Sequence, residues 1–532
     1  MKILFIFPNI DIGGYKNLGI ASLIAVAKKS GHQVKLFDTS FINCEKYQSN
    51  EVFTDSKTAG EEVFNFTPVN LEGYDYGKKD VDLDIVFSEV IKVFKPDIVA
   101  LSIFSQEFAL GMYLLNIVKG LSSNIINIVG GVHCYADPDG VINNKNVDLV
   151  CAGEGEMLFE NLLTCLENNG DYSDIAGLWY KKEGQVVKNP AGSYIDINDI
   201  PLLDYEEFDD RQFIRVFDGK VYRSADLYLT RGCFERCIYC LFDKIYGTHE
   251  DSRKIRILDI DVLISGIERL VKKHNLNFIR FQDSTFLTVP EKYFSKFAEE
   301  YKKRIGLPFV IDSVPQSVTL SKVKLLKEMN CKSISIGVET GNEEYRMKYL
   351  QKNVSNKQIT NAINIINGCG IRTVSFILLG FPFETRSLIF ETIKLCREAR
   401  VASPNVGFVY PFKGSKLRDY VLKEKLFDEN IEKNDSAQYT RNRPVITNKN
   451  ISADEYIGIY RTFLFYCKFP ERYYKEIEIA ERLDSVGDKV YNKFKSIYIE
   501  QKLYNTHYQE GEYQQEAETM AVHSYPLGFS NI

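Results

Sequence analysis

No run of this 532-residue chain approaches the ~18 consecutive apolar residues that a membrane-spanning helix needs. No block of lysine or arginine stands out, and the formal net charge is −6 with a pI near 5.8. Charge therefore gives no reason to expect nucleic acid as a partner. No tandem repeat is visible. Cysteine is sparse, at eleven residues, and the count is odd. A chain of this length can bury several cores without disulfide staples. The opening stretch MKILFIFPNIDIGG has too short an apolar core for a signal peptide, Pro8 and Asp11 interrupt it, and it lacks a small-residue cleavage pattern. The expected location is the cytoplasm, where thiols stay reduced. Clustered cysteines then read as metal ligands rather than disulfide partners.

What is present is ordinary soluble composition, 45% apolar and 26% charged, arranged as two long alternations of strand and helix. In residues 1–168, apolar β-branched runs (KILFIF, QVKLFD, DIVALSIFS, IINIVGG, VDLVCAGEGE) alternate with amphipathic helical stretches. That pattern predicts a doubly wound parallel sheet, an α/β fold with helices on both faces. Residues 41–80 are polar and irregular and read as an insertion. Residues 169–222 read as a linker with a hairpin at LWYKKEGQVVKN. From 223 to 430 the alternation resumes with six strand–helix units, beginning at LYLTR (227–231), which predicts a partial (β/α)6 barrel. Residues 431–532 read as a mainly helical region with a polar tail. The region including 456–478 is expected to cover the barrel mouth, with its aromatic stripe read as core rather than as a substrate box.

The decisive stretch is LYLTRGCFERCIYCLFDKIYG, residues 227–247. Cys233, Cys237 and Cys240 stand there in the spacing C-x-x-x-C-x-x-C, directly after the expected first barrel strand. Thiolates on a loop are soft ligands for zinc or an iron–sulfur cluster. Structural zinc takes four ligands, whereas here there are three, and the nearest further donor is His249. A cluster held by three cysteines leaves one iron open for substrate, and barrel active sites sit at the C-terminal ends of strands. A non-catalytic zinc scaffold stays as the alternative from another class.

This arrangement resembles the radical S-adenosylmethionine (SAM) superfamily over roughly residues 225–415. The resemblance implies a 4Fe–4S cluster on Cys233, Cys237 and Cys240, and SAM as the substrate of that cluster. It places Tyr239 beside the adenine and Asp283, in FQDSTF, near the SAM ammonium. It puts Glu339, in GVETG, at the ribose or carboxylate, and Gly380 and Pro382, in LLGFPFET, along the adenine. Ser284 stands where this subgroup often carries a second aspartate. An electron donor such as flavodoxin or ferredoxin is implied as partner.

The first 168 residues resemble the cobalamin-binding domain of the cobalamin-dependent subgroup. The residues carrying that likeness are Ser102 and Ser105 in LSIFS, Gly130 and Gly131 in VGGVHCYADPD, and Gly153, Glu154 and Gly155 in CAGEGE. Ligands of open α/β sheets bind at strand carboxyl ends, and glycines there let backbone amides approach a corrin amide or the nucleotide-tail phosphate. The first strand-to-helix loop, FPNIDIGGYKNLG, has no histidine, so the implied cobalamin is base-off without a protein ligand; His133 lies in a different loop. The resemblance implies a methyltransferase acting on an unactivated carbon of a small-molecule or peptide substrate. Oxidative cyclases and rearranging enzymes of the same subgroup are the second reading.

Overall fold

A computed structural model of the chain describes residues 1–9, 17–44, 69, 71–245, 254–431, 443–501 and 503. Most of the 41–80 insertion, most of the first strand-to-helix loop, His249 and the polar tail after 503 lie outside the described residues.

Among the described residues the first sheet has seven strands. They are β1 (Lys2–Phe7), β2 (Gln33–Asp38), β3 (Ile98–Ser102), β4 (Ile126–Gly130), β5 (Leu149–Cys151), β6 (Leu178–Lys182) and β7 (Gln185–Lys188), in the order β2-β1-β3-β4-β5-β6-β7. The first five are parallel and the last two form an antiparallel hairpin on the edge. The order 2-1-3-4-5 is a doubly wound order, which places ligands at the carboxyl ends of the strands. Apart from the half-buried Lys2 and Ser102 at their ends, β1 and β3 are apolar and buried on both faces, as strands covered by helices on two sides must be. The crossover helix Leu18–Lys29 starts at Asn17, whose side-chain oxygen accepts the Ile20 N–H and so satisfies one of its free N-terminal donors.

The second sheet is the barrel. Its order is β16-β15-β14-β13-β12-β9-β8. Here β8 is Ile214–Phe217, β9 Lys220–Leu227, β12 Phe278–Phe281, β13 Phe309–Ser313, β14 Cys331–Glu339, β15 Arg372–Leu379 and β16 Ser403–Phe408. β9 and β12 to β16 run parallel, with β8 antiparallel at the edge. The six-unit partial barrel read from the sequence is therefore present. Its first strand is not LYLTR but KVYRSADL, ending at Leu227. Polar residues hid it: Asp226 is fully buried yet paired, accepting from Arg215 Nη2 at 3.1 Å and Gln282 Nε2 at 2.6 Å. The end of LYLTR is β10 (Thr230–Arg231), which pairs antiparallel with β11 (Arg256–Ile257).

The C-terminal helices pack on the barrel wall. Helix Ala453–Lys468 lies against β16 and helix Arg386–Glu398. Tyr456, Phe463, Phe465 and Tyr466 are buried in that contact, so the aromatic stripe is core, as read from the sequence.

Candidate functional site

The carboxyl ends of the first sheet face the carboxyl ends of the first barrel strands, and a cavity of about 330 Å³ lies between them. Ser102, Gly130, Gly131, Gly153, Glu154 and Gly155 line it from the first sheet. Tyr228, Thr230, Arg231, Gly232, Gln282 and Ser284 line it from the barrel. Six of the seven residues singled out in the first domain thus share one wall. The seventh, Ser105, does not line it; its hydroxyl is 2.9 Å from His133 Nδ1, and the His133 ring packs on Phe108. Gly131 adopts φ +98°, and a Cβ there would meet the Ile103 backbone at 2.7 Å, so only glycine fits. A Cβ at Gly153 would meet nothing within 4 Å. A side chain at 153 would enter open space that a ligand can use. The open edge at Gly153 fits the amide-rich periphery of a corrinoid.

Two carboxylates of the G-E-G-E turn bind the barrel. Glu154 forms a bidentate pair with Arg256, at 2.7 and 2.5 Å. Glu156 accepts from Arg231 Nη2 at 2.7 Å and from Ser22 Oγ at 2.8 Å. Arg231 also donates to the Tyr228 hydroxyl at 2.9 Å. Burial opposes the Glu156 charge, but Arg231 outweighs it and holds the carboxyl below its usual range. Glu154, singled out for cobalamin, therefore has its carboxylate engaged by an arginine while its residue lines the cavity. Sequence reasoning missed Arg231 and Arg256; the arginine directly before Gly232 and Cys233 was the available signal.

Cys233, Cys237 and Cys240 follow Arg231 on one loop. Cys237 is buried and the other two are half-buried. Burial pushes the Cys237 thiol up to about 12 and the Cys240 thiol up to about 11, and Cys240 lies within electrostatic reach of both other thiols. Among the described residues no group of three His, Cys, Asp or Glu side chains is drawn together at metal-binding distance. The donor set is nonetheless three thiols on one loop at a barrel mouth, which suits a soft iron–sulfur centre, and bound iron would reverse the burial effect by deprotonating its ligands. The loop is fastened by backbone bonds, Ile238 N–H to Leu350 O at 3.2 Å and Leu417 N–H to Ile238 O at 2.9 Å.

Around that loop the SAM residues divide. Glu339, at φ +64° on a bulge of β14, accepts from the buried Lys352 ammonium at 2.8 Å. Lys352 also donates to Gly337 O at 2.9 Å. Burial works against the Lys352 charge, yet Glu339 and Cys237 outweigh it and hold the amine above its usual range. A non-glycine residue at positive φ is strained, and such strain clusters at functional sites. Lys352 sits in a loop without any motif, so nothing in the sequence marked it.

Tyr239 packs its ring edge-on against Phe381 at 5.8 Å, and burial, with Glu339 and Cys237 nearby, raises its hydroxyl pKa. Gly380, at φ +85°, and Pro382 form the turn that carries Phe381. The buried Glu384 carboxyl accepts from Gly380 N–H at 2.8 Å and from the Tyr456 hydroxyl at 3.0 Å, and the Tyr345 hydroxyl bonds Pro382 O. Tyr239 and the Gly380–Pro382 turn thus meet beside the cysteines.

Asp283 is placed differently from the expectation. Its buried carboxylate accepts from Leu229 N–H at 3.0 Å, Thr230 N–H and Thr230 Oγ1 at 2.6 Å. Burial raises it to about 7. It anchors the chain just before the cysteine loop, and its neighbours Gln282 and Ser284 are the residues that line the cavity.

The fold and the site define a two-domain α/β enzyme, with a doubly wound domain facing a partial barrel across a shared cavity. Residues 227–396 match the family model of the radical SAM superfamily, and residues 75–163 match that of the B12 binding domain. The chain thus carries a radical SAM domain and, ahead of it, a B12 binding domain. It is 23% identical over 379 residues to an uncharacterized methyltransferase of Pyrococcus horikoshii, covering 70% of this chain and 79% of that one. To the anaerobic magnesium-protoporphyrin IX monomethyl ester cyclase of Rubrivivax gelatinosus it is 25% identical over 431 residues, covering 78% and 69%. To the cytidylyl-2-hydroxyethylphosphonate methyltransferase of Streptomyces wedmorensis it is 23% identical over 457 residues, covering 77% and 78%. In fold it is similar to the radical SAM methyltransferase TsrM of Kitasatospora setae, solved with cobalamin and a [4Fe–4S] cluster. That likeness has a TM-score of 0.61 and 13% identity and covers 80% of this chain and 75% of that one. It is likewise similar to the cobalamin-dependent radical SAM enzyme OxsB, with a TM-score of 0.63 and 15% identity, covering 98% and 75%. The two domain matches replace the zinc-scaffold alternative with an enzyme. No helix among the described residues is long and apolar enough to cross a membrane.

Proposed function

We propose that the chain is a cobalamin-dependent radical SAM methyltransferase that acts on an unactivated carbon. The observation that carries this reading is the shared cavity. Glycines of the first sheet and the ends of the first two barrel strands line one space, so a corrinoid held by the first domain would stand at the barrel mouth. Its volume of about 330 Å³ is at the low end of small-molecule sites.

The residues present have defined tasks. Cys233, Cys237 and Cys240 would hold the cluster. Lys352 and Glu339 offer one positive and one negative charge 2.8 Å apart beside Cys237, the complement of an amino acid's carboxylate and ammonium. Tyr239, its ring backed by the buried Phe381, supplies an aromatic wall for a purine. Asp283, Glu384 and the Arg231–Glu156 pair fix the loops that carry these groups, so the site is organised before substrate arrives. When bound, the cluster and SAM supply a carbon-centred radical oxidant, and cobalamin supplies a methyl carrier. The cytoplasm is the expected compartment, with flavodoxin or ferredoxin as electron donor.

The second reading, an oxidative cyclase, draws on the Rubrivivax relative. The test uses the cluster-reconstituted, cobalamin-loaded chain, a low-potential reductant and methyl-labelled SAM. Methyl transfer predicts label in the recovered cobalamin together with S-adenosylhomocysteine. Deoxyadenosine without S-adenosylhomocysteine would refute the methyltransferase and favour the cyclase.

A further inference from the structure

The inner face of the barrel carries charges that the site described above does not use. Ile279, Phe281, Ile311, Ile334 and Ile336 turn outward and are buried in the core shared with the barrel helices. Side chains alternate along a strand, so Arg280, Asp312 and Ser335 stand on the inner face of β12, β13 and β14, and Val374 and Phe376 on that of β15. The pairing register sets Arg280 beside Asp226, Asp312 beside Ser335 and Ser335 beside Val374. These five inner residues lie on central strands yet are only half-buried, whereas the outward ones are fully buried. The inner face is therefore open rather than packed.

Two acid–base pairs stand there, and they differ. Asp226 is fully buried and committed, with Arg215 at 3.1 Å and Gln282 at 2.6 Å. Arg280 and Asp312 form a loose pair. Their nearest atoms are 3.8 Å apart, beyond hydrogen-bond distance, and their side chains keep 15% and 27% of their surface exposed. A guanidinium carries several N–H donors and a carboxylate several acceptor positions, so each can bind a ligand on the open face. Position connects the pair to the chemistry. Gln282, the partner of Asp226, lines the shared cavity. Gly337, the next inner residue after Ser335 on β14, accepts from Lys352, the partner of Glu339. The Arg280–Asp312 pair thus adjoins both the shared cavity and the residues assigned to SAM.

We propose that Arg280 and Asp312 bind the substrate, and that the substrate is an α-amino acid or a small molecule with the same adjacent ammonium and carboxylate. This deepens the methyltransferase reading and rests on it. The charges decide the class. The pair is neutral as a whole. A zwitterion replaces its one loose contact with two close ones, carboxylate to Arg280 and ammonium to Asp312, and leaves no charge without a partner. A ligand with only an anion or only a cation would take one member and strand the other in a shielded place, which weakens binding. Val374 and Phe376, on the same face, offer apolar surface to the side chain of the amino acid.

The test uses the full chain, reconstituted with cluster and cobalamin and saturated with SAM, so that an added amino acid cannot occupy the SAM position. The standard L-α-amino acids are tried singly by equilibrium dialysis. At least one should bind saturably, and its N-acetyl and carboxamide forms should bind at least tenfold more weakly. Asp312→Asn, nearly isosteric, should weaken that amino acid at least tenfold at unchanged melting temperature and unchanged SAM affinity. The blocked forms need no variant, so they decide the matter even if Asp312→Asn folds poorly. Saturable binding by none of the amino acids, or equal binding of free and blocked forms, would overturn the proposal. So would an Asp312→Asn chain that loses SAM affinity and keeps amino-acid affinity, which assigns the pair to SAM. A wild type that binds the free amino acid selectively but forms no deoxyadenosine with a low-potential reductant would uphold the specificity of the pair and refute the radical reading instead.

Discussion

The ion pair between Glu156 and Arg231 ties the cobalamin domain to the base of the cysteine loop. The pair is well shielded, with side-chain exposures of 7% and 17%, and the contact is 2.7 Å. Removing one member of such a pair leaves the other charge buried and unpaired, at a cost of about 3–5 kcal/mol. Two features set the expectation at the lower end. Glu154 stands 3.9 Å from Arg231 and takes up part of its charge, and Tyr228 keeps its hydrogen bond to the guanidinium. Glu156→Gln should therefore cost about 3 kcal/mol. At roughly 2–4 °C per kcal/mol for a unit of 150–250 residues, the transition that includes both domains should fall by about 6–12 °C.

Arg231→Met removes the opposite charge and keeps most of the side-chain volume. With both changes together no buried charge is orphaned, so the double variant should lose clearly less than the sum of the single losses. That difference is the coupling energy of the pair. The assay is a double-variant cycle in urea on the apo chain, followed by iron content after anaerobic reconstitution. Iron content should fall in each single variant, because Arg231 lies two residues before Cys233. The low Glu156 pKa adds a pH signature. A carboxyl held below its unfolded value contributes stability above that unfolded value, and the contribution is lost as pH falls through the folded one. The wild type should therefore lose more stability than Glu156→Gln on acidification below about pH 4. Strictly additive single losses and wild-type iron content in both single variants would refute the argument that this pair positions the loop.

Three further outcomes follow from the same geometry. Cys237→Ala should abolish reductive SAM cleavage and the cluster's visible absorption while the circular dichroism of the fold is retained, since the ligand sits on a loop; normal deoxyadenosine formation would refute the assignment. Lys352→Met should weaken SAM binding at least tenfold in equilibrium dialysis at unchanged iron content, because Glu339 loses its partner and the carboxylate end of SAM loses its cation; unchanged affinity would remove Lys352 from the site. Asp283 has a folded pKa raised to about 7 by burial, so its contribution to stability declines as pH rises from about 4 to about 7; Asp283→Asn should flatten the urea stability profile in that window, and an equally steep profile in the variant would show that Asp283 does not titrate there.

What could be read from the chain, and what could not, follows from the kind of interaction involved. The parallel sheets were legible because buried strands are apolar runs and their crossover helices carry 3.6-residue periodicity. The cysteine spacing was legible because metal ligation on a loop is local in sequence. β9 was not, because a barrel strand whose inward face is polar breaks the apolar pattern; Asp226 is acceptable there only because Arg215 and Gln282, 11 and 56 residues away, pair with it. Asp283 was recognised as a site residue, but its task depends on where the backbone of residues 229 and 230 lies, and no local pattern specifies that. Lys352 gave no sign at all. Its partner Glu339 is 13 residues earlier on a different element, and the pair exists only once β14 and the loop after residue 350 are folded. Contacts between the two domains were the least visible. Glu154 and Glu156 looked like part of a cofactor turn, whereas 102 and 75 residues later Arg256 and Arg231 bind them. These two pairs give the turn a second task. The same four residues of sequence that shape the shared cavity also hold the strand from which the cysteine loop departs. Occupancy of the cavity and geometry of the loop therefore act on a common set of side chains, and thermodynamic linkage then requires that whatever a ligand of the cavity does to the loop, the loaded loop does to that ligand's affinity.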